Sequence, residues 1–312
     1  MKISPPTRLH VVTDPAPPGS PEWARLVTAS KVAAIMGESN YSTPYAVHCL
    51  MNGTREDTTG MADRFLAGHA MELALRYWMQ ERHPEWRFST GEVQVHHPGL
   101  PFPNAATLDV IATDDGRRRG PKASRSVQFK TVGDWDEYRN LTPETVPAEW
   151  LIQVTWEMLI SGLVENPAIL AVAGPFYDWQ EIEIPYDPEL AAILVAEVLA
   201  FVDTLDGQPP APTAPRDYKI AKLRHPDVDE DADPVTIDAA TAREWDRAKT
   251  EAKDAAAAKR AADKRAETAG AAILEALGTA TVAVDPDGYP CATRAATKRG
   301  IVLRHVPLTE AQ

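Results

Sequence analysis

At 312 residues, with 44% hydrophobic and 25% charged side chains, the chain has an ordinary globular composition. That excludes disordered and fibrous classes and leaves room for one catalytic domain of about 200 residues plus a smaller appendage. A formal net charge of −13 opposes a polyanionic partner unless charge is segregated by face, or unless some carboxylates are there to hold a cation.

Residues 1–22 carry Pro5, Pro6, Pro15, Pro17, Pro18 and Pro21, which fix φ and remove donors, so they read as an extended arm. Regular structure is expected from Trp23. A short helix capped by Ser30 and stopped by Gly37 comes first, then a helix from Asp63 to Arg82 with apolar residues mostly three and four apart. Glu92–Val95 alternates like a strand, Ala105–Thr113 reads as a second strand, and Ser126–Val132 as a third. The last two are expected to form a hairpin whose loop holds Arg117, Arg118, Arg119, Lys122 and Arg125, a candidate polyanion contact. A helix over Ala148–Ser161 ends at Gly162; Ala168–Ala173 is a buried strand, Trp179–Pro185 an edge strand, and Pro188–Leu205 a further helix.

The proline-rich stretch 208–215 and the acidic run after it read as a linker, 208–235. Residues 236–312 then offer one long Ala/Lys/Arg/Glu-rich helix with a thin apolar face and a small β-hairpin. Such a helix suits oligomer formation or partner binding. Cys49 and Cys291 stand far apart without metal-type pairing, so free thiols are expected. No run approaches the roughly 18 apolar residues of a membrane helix, and MKISPPTRLHVV lacks a signal-peptide core. A cytoplasmic protein without a membrane partner is the expectation.

Chemistry concentrates on the helix, strand, strand, helix order within 23–207. Gln128 and Lys130 are two apart on one strand and therefore share a face, while Asp109 interrupts a neighbouring apolar strand and can face them. Charges in such strands are costly unless paired or metal-bound, and a few hard oxygen donors suit Mg²⁺. The bland alternatives are a solvated Glu72, a turn-capping Asp109 and Lys130 as an edge-strand gatekeeper.

Asp109 followed by Gln128-Phe129-Lys130 resembles the PD-(D/E)XK nuclease signature, with Gln128 where that superfamily usually has Glu. Trp23-Ala-Arg-Leu-Val-Thr-Ala-Ser30-Lys, Gly68-His-Ala-Met-Glu72 and Trp150-Leu-Ile-Gln153-Val-Thr-Trp-Glu-Met158 are similar to the YqaJ viral recombinase and lambda-type exonuclease branch, over about residues 23–185. The resemblance implies a restriction-endonuclease-like α/β fold: a mixed central sheet flanked by helices, with a helical C-terminal appendage. It implies a Mg²⁺-dependent exonuclease (Mn²⁺ substituting) that degrades one strand of duplex DNA from its end, 5′ to 3′, for recombination. In that scheme Asp109, Gln128 and the Phe129 carbonyl hold the metal, Glu72 binds a metal or its water, and Lys130 orients the attacking water. Arg25, Ser30 and Gln153 contact DNA, and His69 is an optional ligand. A homo-oligomer and a single-strand annealing partner are implied as well. Because Gln128 brings no charge, a nuclease-fold DNA-binding or scaffold protein with weakened catalysis is the competing reading.

Overall fold

The computed structural model describes residues 3–57, 59–114, 123–298 and 300–307. The chain divides into two compact units between Val228 and Asp229. In the first, the elements in chain order are α1 (Pro21–Ala24), β1 (Val27–Thr28), α2 (Ala29–Ile35), α3 (Pro44–Met51), α4 (Ala62–Arg82), β2 (Arg87–Phe88), β3 (Val93–Val95), β4 (Asn104–Leu108) and β5 (Val110–Thr113). Then follow β6 (Ser124–Thr131), α5 (Trp135–Arg139), α6 (Ala148–Ser161), β7 (Ala168–Ala173), β8 (Trp179–Ile184), α7 (Pro188–Val202) and α8 (Asp217–Arg224).

A five-stranded sheet runs in the order β2-β5-β6-β7-β8, with β6 and β7 parallel and the other neighbours antiparallel. It is the mixed sheet expected of the fold class. Alternation along β7 shows what covers it. Ala168, Leu170 and Val172 pack with Val154 and Met158 of α6, whereas Ile169, Ala171 and Ala173 pack with Leu75 and Met79 of α4. The sheet is therefore sandwiched between these two helices, and its central strands are apolar on both faces because both faces are covered. A second sheet, β1-β4-β3, lies against the larger core that α2, α6 and α7 build together.

Local chemistry explains the element ends. The αL conformation of Gly162 (φ 76°) ends α6, its N–H returning to the Met158 carbonyl at 2.9 Å. A Cβ there would also stand 2.0 Å from the Pro6 carbonyl oxygen, so the arm passes where only glycine permits it. At the start of α7, Asp187 accepts from the Glu189 and Leu190 amides at 2.8 and 3.0 Å, with Pro188 in the first turn.

Several sequence expectations are corrected. The stretch Ala105–Thr113 is two strands, β4 and β5, which belong to different sheets, with Asp109 at the bend between them. Ser30 does not cap α2; Thr28 holds that position without a side-chain cap bond, and Ser30 lies inside the first turn. The arm is not free. The Val12 amide donates to the Gln94 carbonyl of β3 at 2.9 Å, and the His10 carbonyl accepts from the His96 amide just beyond β3 at 3.0 Å.

The first unit also continues past the proline-rich stretch. Buried Asp217 accepts from Thr43 Oγ1 at 2.7 Å and from the Thr213 and Ala214 amides at 2.8 and 3.1 Å, and Ile220 packs on Tyr45, Ala46 and Cys49. A short polar-looking helix is thereby pinned by one satisfied carboxylate.

In the second unit, α9 (Ala239–Leu277) starts at Asp238, which accepts from the Ala240 and Thr241 amides. It buries only Leu277 among its described residues, as its thin apolar stripe implies. An antiparallel meander follows: β9 (Val282–Val284), β10 (Pro290–Thr297) and β11 (Gly300–His305), with β10 in the middle. Both cysteines are free thiols. No helix among the described residues is long and apolar enough to cross a membrane.

Candidate active site

The site is organised by β6. Val127 and Phe129 turn towards α4, so Gln128 and Lys130 turn to the α6 side, as the two-residue strand period requires. There Lys130 Nζ donates to Gln153 Oε1 at 2.7 Å, and Gln153 Nε2 donates to Glu157 Oε1 at 2.9 Å. Gln153 and Glu157 are one helical turn apart on α6 and share its face. Glu157 is 0% exposed and Gln128 6%. Glu157 Oε2 and Gln128 Oε1 are both buried without a hydrogen-bond partner.

Asp109 owes its place to the bend between β4 and β5. The β5–β6 ladder runs from Thr113↔Ser124 to Val110↔Val127 and stops there; beyond it, the Phe129 amide donates to Asp109 Oδ2 at 2.7 Å. A side chain replaces the backbone acceptor, which holds the carboxylate at the strand's edge. Burial pushes Asp109 up to about 7, against the lowering effects of the Phe129 N–H and of Lys130, while Glu72 and Glu92 add repulsion. Burial also holds Glu157 well above the ordinary carboxylate range, and the nearby Asp109 charge adds to this.

On the α4 side, Glu72 Oε2 lies 3.2 Å from His69 Nδ1, and both residues gather with Glu92 so that one ligand atom of each falls within 4.8 Å of the others. Three cavities that share lining residues connect the two sides. One of about 310 Å³ is lined by Asp109, Gln128, Gln153, Glu157, Ser30, Glu92 and the arm residues Pro15–Pro18. A second, of about 340 Å³, joins Glu72 and Phe129 to Lys130, Gln153 and Ser30. The third, of about 300 Å³, joins Glu72, His69 and Glu92 to Asp109 and Phe129.

Of the residues singled out from sequence, Glu72, Asp109, Gln128, Phe129, Lys130, Ser30, Gln153 and His69 thus line these cavities. Arg25 is exposed and lines none of the three. Arg125 is already committed: its guanidinium donates to both Asp114 oxygens at 2.9 and 2.8 Å and lies 4.5 Å from the Trp86 ring. It is a structural cation rather than a free contact. Arg117, Arg118, Arg119 and Lys122 lie outside the described residues.

Two acids were not anticipated. Glu157 was legible in principle, being an acid in an apolar helix four residues after Gln153. Glu92 carried no such signal, since only tertiary structure brings the start of β3 to α4.

No family model and no curated protein matches the chain. Among solved structures, it is similar to an alkaline exonuclease (LHK-Exo) from Laribacter hongkongensis, at 18% identity and a TM-score of 0.44, covering 65% of this chain and 93% of that one. The structure of LHK-Exo in complex with dAMP matches at 18% identity and a TM-score of 0.46, covering 66% and 95%.

The side chains of the site fit a hard divalent cation. The donors are carboxylate and amide oxygens, two of them buried and unpartnered, where native proteins satisfy nearly all buried polar atoms. Asp109 moves from an ordinary 3.8 to about 7, so between these values the folded state binds more protons than the unfolded one. Its contribution to stability is full below about pH 4 and is lost as pH rises through about 7. In EDTA, the melting temperature should fall from pH 5 to pH 8 more steeply for the native chain than for Asp109→Asn. Equal slopes would remove Asp109 as the source.

Proposed function

We propose that this chain is a Mg²⁺-dependent DNA exonuclease, with Mn²⁺ able to substitute, that hydrolyses one strand of linear duplex DNA from its end. The observation that carries this reading is the convergence of Asp109, Gln128 and Glu157 with the Lys130–Gln153 pair around shared solvent cavities. An ammonium held beside oxygen donors is the arrangement that phosphodiester hydrolysis needs. The motif resemblance of 23–185 supports DNA as substrate, 5′ to 3′ polarity and a role in recombination.

Asp109 and Gln128 would hold the cation, with Glu72 on the opposite side of β6 as a further carboxylate. A bound divalent ion supplies Lewis acidity towards a phosphoryl oxygen and acidifies water. Lys130 stabilises the negative charge that develops on the scissile phosphate. Gln153 fixes the Lys130 ammonium by accepting from it, so the charge is preorganised rather than swinging in solvent. Ser30 and Gln153, which line the cavity that opens beside Lys130, would meet the DNA backbone in this reading. A homo-oligomer and a single-strand annealing partner belong to the same reading.

The test is digestion of 5′-phosphorylated linear duplex by the purified full chain with Mg²⁺. Acid-soluble nucleotides should appear from linear DNA, stop with EDTA, and be absent with covalently closed circles. No release with either Mg²⁺ or Mn²⁺ would sink the proposal.

A further inference from the structure

Position 128 is neutral in this chain, yet the cavity beside it is not short of a carboxylate. Glu157 reaches the same cavity from α6, alongside Asp109 and Gln128. Gln153 orients it. Because Gln153 Nε2 donates to Glu157 Oε1, Oε2 is the oxygen left over, and it is buried with no partner, as is Gln128 Oε1. A fully buried carboxylate oxygen without a donor is costly in a folded protein, and so is an unpaired amide oxygen. A cation bound between them satisfies both at once.

We infer that Glu157 supplies the cation site with the negative charge that residue 128 does not, so that Asp109, Glu157 and Gln128 together form the ligand set. This inference rests on the nuclease reading above and extends it. With both carboxylates ionised around a bound cation the charge count agrees: Asp109, Glu157 and the Lys130 ammonium leave one net negative charge, the same as Asp109, Lys130 and an acid at 128 would leave. The acid has moved from strand to helix, and Gln153 becomes a positioning residue that ties Lys130 and Glu157 into one line. The bland alternative is that Glu157 only anchors Gln153. That role needs Oε1 alone and leaves Oε2 without a purpose.

The experiment is calorimetric titration of the full chain with Mn²⁺ and with Mg²⁺ in the absence of DNA, together with metal-free melting. Glu157→Gln should weaken Mn²⁺ binding by about tenfold or more, because ligand charge count sets affinity. The double variant Gln128→Glu with Glu157→Gln should return it to near the native value. In EDTA, Glu157→Gln should melt at a higher temperature than the native chain, which a purely structural anchor would not do.

Native-strength Mn²⁺ binding by Glu157→Gln, with binding lost in Asp109→Asn, overturns the inference and leaves the nuclease reading standing. Equal binding by the native chain and Asp109→Asn removes the metal site itself, and both ideas fall. Should Glu157→Gln fail to fold, the double variant decides: absence of Mn²⁺ binding there overturns the assignment.

Discussion

Lys130→Ala and Asp109→Asn should each lower Mg²⁺-dependent digestion of linear duplex by on the order of a thousandfold, the scale of losing one preorganised charge or donor in a water-poor site. The two should differ in kind. Lys130→Ala removes the ammonium that Gln153 holds at 2.7 Å and should lower kcat while Mn²⁺ binding persists. Asp109→Asn keeps the shape but removes the carboxylate at the β4–β5 bend, so cation affinity and rate should fall together. Lys130→Arg should not rescue, because a planar guanidinium cannot occupy the place of a compact ammonium beside Gln153. Single-turnover rates with saturating Mn²⁺ separate these cases. More than about a tenth of native activity in Lys130→Ala would mean that the developing charge is stabilised elsewhere.

Trp156→Ala should cost about 3–5 kcal/mol, the usual range for deleting a buried aromatic and leaving a cavity. Trp156 is 0% exposed and lies in the core shared by α2, α6, α7 and β4. It stands next to Glu157 in sequence and three residues from Gln153, so its packing in the core sets where those two side chains point. Trp156→Phe should be far milder, within about 1.5 kcal/mol, because the lost volume is partly offset by removing an indole N–H that is buried without a partner. Denaturant midpoints at constant m-value read both. Equal destabilisation by Phe and Ala would show that the core needs the full indole shape and that removing its unpartnered N–H offsets nothing.

The periodic elements were legible because their residues carry the signal locally. Helix α6 could be bounded from Ala148 to Ser161 because an apolar stripe ends at a glycine that takes positive φ. Strand β7 could be read as covered on both faces because Ala168–Ala173 contains no polar residue. Ser30 misled because a hydroxyl before an apolar run is a capping signal, yet the cap position of α2 lies two residues earlier, at Thr28. The helix α8 was hidden because what holds it, buried Asp217 and Ile220, meets Thr43, Tyr45 and Cys49, which are remote in sequence.

By itself, then, the amino-acid order determined the alternation of helices and strands and placed Gln128 and Lys130 on one face, since side-chain direction repeats every two residues in a strand. Only the tertiary structure decided that the segment through Asp109 breaks between two sheets, that Glu92 joins Glu72 and His69, and that Glu157 meets Asp109 at one cavity. Those facts depend on how separate elements pack. Burial, unpaired oxygens and the upward shift of Asp109 exist only once neighbouring elements have excluded water from them.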